Sequence, residues 1–448
     1  MMTQVKLYDV PAQMKPSPDY RLEVNGEQVF VYCFPGMAGG TVSWASFDFE
    51  GEVRIRISCE WRMDTAEVHP LSYGIQSEFK DDAIEFTLKE PANLFIKWNE
   101  EFDLPFYLFA GPLEDLPTEG PGVRYYGPGI HHAGDLELLS NETLVLDGGA
   151  FVYGTVQAVH AENVKVIGRG ILCGSHLSFG LPEGHPAEMM GFKSCRNVLV
   201  DGIMVLDSFG WTICGYDCDG WTVRNTKIVN ERKWSTDGIN PVNSRDVLLD
   251  RCFVRCKDDC VSIKGLVHED RYDTGRSPIE NIVVQDSVFW SDNNNALVVG
   301  TEMQADYIRN IVFRNLDVLK VSNTCGDYAA ALTVGCLDDT EVSDITFEDI
   351  RIEHAIGPLI NIWMRSSIFS DSIRGTRTPE GCTVRRLRFR NIELTGGRFR
   401  RSYIEGLDEI RRFEDIEFDH LVIQGRRIRS AEEGRFEINA FADNIRFV

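Results

Sequence analysis

The sequence predicts an all-β chain: a smaller β-sandwich over residues 1–112, then a right-handed parallel β-helix over residues 113–448. Three observations lead there. Short runs in the first part alternate apolar and polar residues, as strands with one wet face do. From Asn141 onward a loose unit recurs, a polar turn often holding Asn, then β-branched residues. A helical period of 3.6 is missing throughout.

The first part supplies the runs Gln28 to Phe34, Ser43 to Phe49, Glu52 to Trp61, Ala83 to Glu90 and Asn93 to Asn99. Val53-Arg54-Ile55-Arg56-Ile57 alternates without a break. Turn residues separate the runs, which reads as an antiparallel sandwich. No catalytic cluster stands out there, and His69 reads as a surface or loop histidine. Near Gly111 the texture changes to a Pro- and Gly-rich stretch, GPLEDLPTEGPGVRYYGPG, a candidate domain junction. The adjacent His131 and His132 would point to opposite sides of a strand, so a shared metal is not expected.

The repeating unit then appears as AENVKVIGRGILCG, CRNVLVDGIMVLDS, SRDVLLDRCFVRC, IENIVVQDSVFWS, IRNIVFRNLDVL and FEDIEFDHLVIQG, among others. Units begin about 24 to 42 residues apart. Stacked coils bury Val, Ile, Leu, Phe and Cys, because each coil is a thin section filled by its neighbours. Two or more short strands per coil are expected. A β-propeller would need more regular blades and tight hairpins. The 12 cysteines are scattered, and Cys252, Cys256 and Cys260 do not follow zinc-ligand spacing. They read as core thiols rather than a metal site or disulfide framework.

A net charge of -23 argues against nucleic-acid or anionic-membrane partners and mildly against a polyanionic substrate. The start, MMTQVKLYDV, lacks a basic region followed by an apolar one, so a cytoplasmic location is the expectation unless a signal was removed. A homo-oligomer is left open. Nothing in the pattern calls for a cofactor or a metal.

The chemistry concentrates between Trp234 and Lys264, where Asp237 stands one strand-turn-strand unit before Asp258 and Asp259. That spacing approximates one coil, so the second segment should lie over the first. Crowded carboxylates repel, and at least one should hold its proton above the ordinary range. A proton donor beside an ionised base is what glycosidic cleavage needs. Asp-Gly is also an ordinary turn pair, which would explain Asp237 alone. It explains less of an adjacent acid pair inside an apolar repeat. Candidate substrate contacts are Lys264, Trp234, Asn294, Glu302 and His268, the last in a loop between coils. Trp211, Trp290 and Trp363 are further stacking candidates, though core packing is the commoner use of tryptophan.

Residues Arg196 to Met303 resemble glycoside hydrolase family 28, the polygalacturonase family of the pectate-lyase-like β-helix superfamily. The matching pieces are STDGINP (Ser235 to Pro241), SRDVLLDRC, KDDCVSIK (Lys257 to Lys264), SPIENIVVQDSVF and VVGTEM. Asp237 matches the aspartate of the family's N-T-D, and Asp258 with Asp259 the pair of its G-D-D. The resemblance implies an inverting hydrolase with Asp258 as general acid and Asp237 with Asp259 activating water. Ser235 and Lys257 depart from that pattern. The family's G-H-G histidine has no match, Asn294 falling at or near its place. Its R-I-K is replaced by DYAAALTVGC. Loss of these uronate-holding residues suggests a neutral sugar at the cleaved position. A sandwich before the helix also resembles family 49, the dextranase and isopullulanase group. On the same fold, a polysaccharide lyase, a polygalacturonase or a non-enzymatic glycan-binding helix are the alternatives.

Overall fold

The computed structural model describes residues 3–36, 40–99, 102, 104–177, 188–267, 275–323, 326, 328–365 and 383–448. His268 lies outside them. Two compact units are distinguished. The first holds two facing sheets. One orders Gln4–Lys6, Thr41–Glu50, Phe106–Pro112, Ala92–Trp98 and Ala66–His69, with Tyr32–Pro35 also on Thr41–Glu50. The other orders Glu27–Val29, Tyr20–Val24, Val53–Cys59, Ala83–Leu88 and Ser77–Lys80. The alternation read in Val53–Cys59 has a direct cause. Val53, Ile55 and Ile57 enter a core with Phe47, Leu94 and Leu108, while Arg54 and Arg56 turn outward onto Glu85. His69 corrects an expectation. It is 5% exposed, because its strand pairs it with Phe95, whose ring it meets at 5.8 Å.

In the second unit the coil strands run parallel, each pairing with an equivalent on the next coil, and only the short Arg426–Arg427 among the described strands turns back antiparallel on Arg412–Ile423. This is the parallel β-helix, and no propeller blade could give such pairing. Three short strands per coil, as in Ile239–Val242, Arg245–Asp250 and Phe253–Cys256, give way later to long bent strands such as Tyr307–Ser322 and Glu341–Pro358. The recurring polar turn residue now has a reason. Asn163, Asn197, Asp246, Asn281, Asn310, Asp344 and Asp415 all take positive φ, between 53° and 60°. Asn and Asp tolerate that left-handed turn better than other side chains. Many bond up the stack, Asn197 Nδ2 to Asn163 Oδ1 at 2.7 Å and Asn281 Nδ2 to Asp246 Oδ1 at 2.9 Å.

The interior fills as a stack of like on like. Phe313, Phe347, Phe389, Phe418 and Phe447 form a ladder with centroids 4.6–5.0 Å apart. Burying each ring stabilises by about 1.5–3 kcal/mol. Removing a middle one, as in Phe347→Ala, should cost about 3–5 kcal/mol because the coils cannot close the gap. Among the described residues ten cysteines are free thiols, nine of them buried. They pack as small hydrophobes.

Candidate active site

One line of strands carries the site: Met190–Lys193, Ile213–Tyr216, Ile239–Val242, Val261–Gly265, Leu297–Met303, Leu332–Cys336 and Ile360–Met364. Ile239 pairs with Val261, and Val261 with Leu297. Asp237, Asp259 and Asn295 each stand two residues before their strand residue, so they stack in one column. The backbone closes the stack: Thr212 N–H donates to Asp237 O at 2.9 Å and Gly238 N–H to Asp259 O at 2.8 Å. Gly238 is required by close approach, since a Cβ there would lie 2.4 Å from Cys260 O. The Asp-Gly pair thus reflects coil packing next to the column as well as turn preference.

Each of the three aspartates is anchored by one oxygen only. Asp237 Oδ2 accepts from Lys264 Nζ and Asn240 Nδ2, both at 2.9 Å. Asp258 Oδ1 accepts from Asn294 Nδ2 at 2.7 Å and from Asp259 N–H at 3.1 Å. Asp259 Oδ1 accepts from Asn295 Nδ2 at 2.7 Å and Asn295 N–H at 3.1 Å. The second oxygen of each accepts no hydrogen bond among the described residues. Three carboxyl groups are thereby fixed in rotamer, each with one oxygen presented.

The electrostatics separate their protonation states. Burial, then the charges of Asp237 and Asp259, push Asp258 well above the usual carboxylate range, against the pull of Asn294 and Lys264. Burial and Asp237 push Asp259 up to about 6, with Lys264 and Asn295 opposing. Burial works against the Lys264 ammonium, but Asp237, Asp259 and Asp258 together outweigh it and hold its pKa above the ordinary value. Lys264 is therefore a fixed positive charge, 6% exposed and ion-paired to Asp237. The set can offer a proton from Asp258 beside a lysine-paired Asp237.

Lys264, a candidate substrate contact in the sequence, is found paired to Asp237. Its ammonium also lies 4.1 Å from the ring centroid of Trp211, a cation–π contact. Asn294 reaches Asp258, but by register Asn295 is the residue over Asp259. Asn295 is held in turn: its Oδ1 accepts from Ala330 N–H at 2.9 Å and Thr333 Oγ1 at 2.6 Å. Counting two residues back from each strand start would have found it in the sequence. Asn240, three residues after Asp237, was also missed.

Glu302 is buried in a bulge. Ile263 pairs with Val299 but Gly265 with Met303, so Gly300, Thr301 and Glu302 together face Lys264. Trp234, three residues before Asp237 in the chain, is 55% exposed. Trp290 and Trp363 are fully buried and offer no ring to a sugar. Trp290 is held from outside by Arg255, 4.0 Å above its ring, and donates to Asp292 at 2.8 Å.

Comparison with known proteins follows this geometry. The model of glycosyl hydrolases family 28 matches residues 181–425, more than half of the 448. The chain belongs to this family. Two probable polygalacturonases of Arabidopsis thaliana are similar to this family 28 chain. One is 25% identical over 181 residues, 36% of this chain and 40% of the relative. The other is 27% identical over 236 residues, 48% of this chain and 50% of the relative. The chain thus matches half or less of the length of these curated relatives. Among solved structures, Dex49A from Penicillium minioluteum superposes with a TM-score of 0.70 at 13% identity, over 97% of this chain and 94% of that one. A hyperthermoactive exopolygalacturonase from Thermotoga maritima superposes with a TM-score of 0.54 at 23% identity, over 72% and 84%. These likenesses show the fold.

Proposed function

We propose that this chain hydrolyses an α-glycosidic bond of a neutral oligo- or polysaccharide by single displacement. The observation that carries the reading is the triad, with each carboxyl pinned by one oxygen and presenting the other. Asp258 gives its proton to the glycosidic oxygen as the bond from the anomeric carbon breaks, and the leaving chain departs as an alcohol. Water between Asp237 and Asp259 attacks the opposite face of that carbon and gives up its proton to them. Lys264 holds Asp237 in position for that water. Solvent then takes the water's proton from the base pair and returns one to Asp258, which restores the starting state.

A neutral substrate is supported by how the nearby cations are used. Lys264 holds Asp237. Lys257 holds Asp292 at 3.1 Å. Arg255 holds Glu231 and Asp292. The next strand of this line, Leu332–Cys336, carries no cation. The description of the Arabidopsis relatives as probable polygalacturonases favours a second reading, with galacturonate as the sugar. Reducing-sugar release from α-glucans and from polygalacturonate under one set of conditions separates the two. Faster release from the neutral polymer is expected. Efficient release of galacturonate would replace it with the second reading.

A further inference from the structure

We infer that Asp292 is a positioning residue for Asp258: it fixes the turn that presents the acid, without itself touching substrate. The inference rests on the hydrolase reading above. Asp258 stands in the turn between Phe253–Cys256 and Val261–Gly265. The corresponding turn of the next coil clasps it. Cys256 pairs with Ser291 there, and Asp292 N–H donates to Cys256 O at 2.9 Å. Ser291 Oγ donates to Asp258 O at 2.9 Å and accepts from Asn294 N–H at 3.0 Å. Asn294 Nδ2 then reaches the carboxyl of Asp258. The acid is thus located, at backbone and side chain, by residues on either side of Asp292.

Asp292 supplies the one charge on that clasp, and its ion pairs run to the acid's own turn and the strand before it. Its Oδ2 lies 3.1 Å from Lys257 Nζ and 3.3 Å from Arg255 Nη2, and its Oδ1 accepts from Trp290 Nε1–H at 2.8 Å. Lys257 precedes Asp258 in the chain and is the residue that departs from the family's G-D-D. Arg255 is anchored in turn by Glu231 and by the Trp290 ring. Burial pushes the Asp292 carboxyl up, but Arg255, Lys257 and the Trp290 donor outweigh it and hold it below the usual carboxylate range. Both oxygens of this anion are engaged by protein, and its side chain is 10% exposed. What it does for the reaction therefore passes through the turn it holds. Precision there matters, since a displacement of about 1 Å can cost about 10²-fold in rate.

The experiment compares two substrates of the sugar that the wild type releases, from α-glucan or from polygalacturonate. One is the oligosaccharide, whose leaving alcohol needs a proton. The other is the 2,4-dinitrophenyl α-glycoside, whose phenolate leaves without one. A misplaced acid slows the first and spares the second, whereas a general loss of structure slows both. Asp292→Asn should lower kcat on the oligosaccharide about 10- to 100-fold, with KM within about 3-fold and the aryl glycoside within about 3-fold. Asp292→Glu, which keeps the anion, should recover part of the loss. If Asp292→Asn does not fold, Lys257→Met leaves Asp292 on Arg255 and should show the same selective loss. Equal losses on the two substrates, or no loss on the oligosaccharide, overturn the inference. Asp258→Asn is the reference. A selective loss in Asp258→Asn with none in Asp292→Asn overturns this inference alone. An Asp258→Asn variant that loses both substrates equally, or a wild type inactive on both, removes the hydrolase reading and this inference with it.

Discussion

Replacing Lys264 by Met tests the electrostatic core of the site. The ammonium lies 2.9 Å from Asp237 Oδ2, and both side chains are under a tenth exposed. At an effective dielectric of about 20, two unit charges at that distance attract by about 6 kcal/mol. Breaking a buried pair by removing one partner costs about 3–5 kcal/mol, since the other charge stays behind without compensation. In Lys264→Met that charge would face Asp258 and Asp259 with only Asn240 to bond it. The site relieves this by binding a proton, which removes the base. With one pH unit worth about 1.4 kcal/mol, the acid limb of kcat/KM should move up by about 2 units or more. Near pH 6 activity should fall at least about 10²-fold, with part of it returning as pH rises. A pH profile on a chromogenic glycoside reads this, with circular dichroism to confirm folding. Near pH 6, adding Asp237→Asn to the variant should cost little more, because the base is already protonated there, whereas at higher pH it should abolish the recovery. A Lys264→Met enzyme within 3-fold of wild type from pH 5 to 8 would refute the reasoning.

Three further outcomes are expected. Asp258→Asn should lower kcat by about 10²–10⁴-fold with an unchanged melting curve, as loss of a general acid does; near-full turnover on an unactivated glycoside would remove it from that role. Asp259, pushed up to about 6 in the folded protein, keeps a proton from about pH 4 to 6 that the unfolded chain has released. Its contribution to stability is therefore full below about pH 4 and declines through that window by about 3 kcal/mol. The Tm of Asp259→Asn should thus gain on wild type between pH 4 and 6, and a constant difference would contradict this. Asn295→Leu removes the amide donor from Asp259 but leaves a backbone donor from the same position, so the acid limb should rise by about half a pH unit or more. A profile that falls in height without shifting would make Asn295 a packing residue only.

The fold could be read because its period lies on the surface of the sequence. Each coil begins with the same polar turn, and that turn needs Asn or Asp for its positive φ. The aspartates could be read because two short acidic motifs one coil apart have few other uses. Asn295 could have been found by counting back from the strand starts, because Leu297 pairs with Val261 as Val261 does with Ile239. Trp290 and Trp363 are no different in sequence from Trp234; what buries them comes from other coils. His69 was misread for a similar reason, since its pairing with Phe95 is long-range. Trp211 is likewise placed only by the fold, which brings its ring to 4.1 Å from the Lys264 ammonium.

The central claim is single displacement by Asp258 with Asp237 and Asp259. Adjacent coils set Asp237 and Asp259 about 4.8 Å apart at the backbone, with Asp258 presented from the edge. Water held by two carboxylates attacks the face opposite the departing oxygen, which inverts the anomeric centre. Proton NMR of a digest, recorded before mutarotation, measures this directly. An α-linked substrate should first give the β-anomer. Initial appearance of the α-anomer would contradict the account and make one of these aspartates a nucleophile.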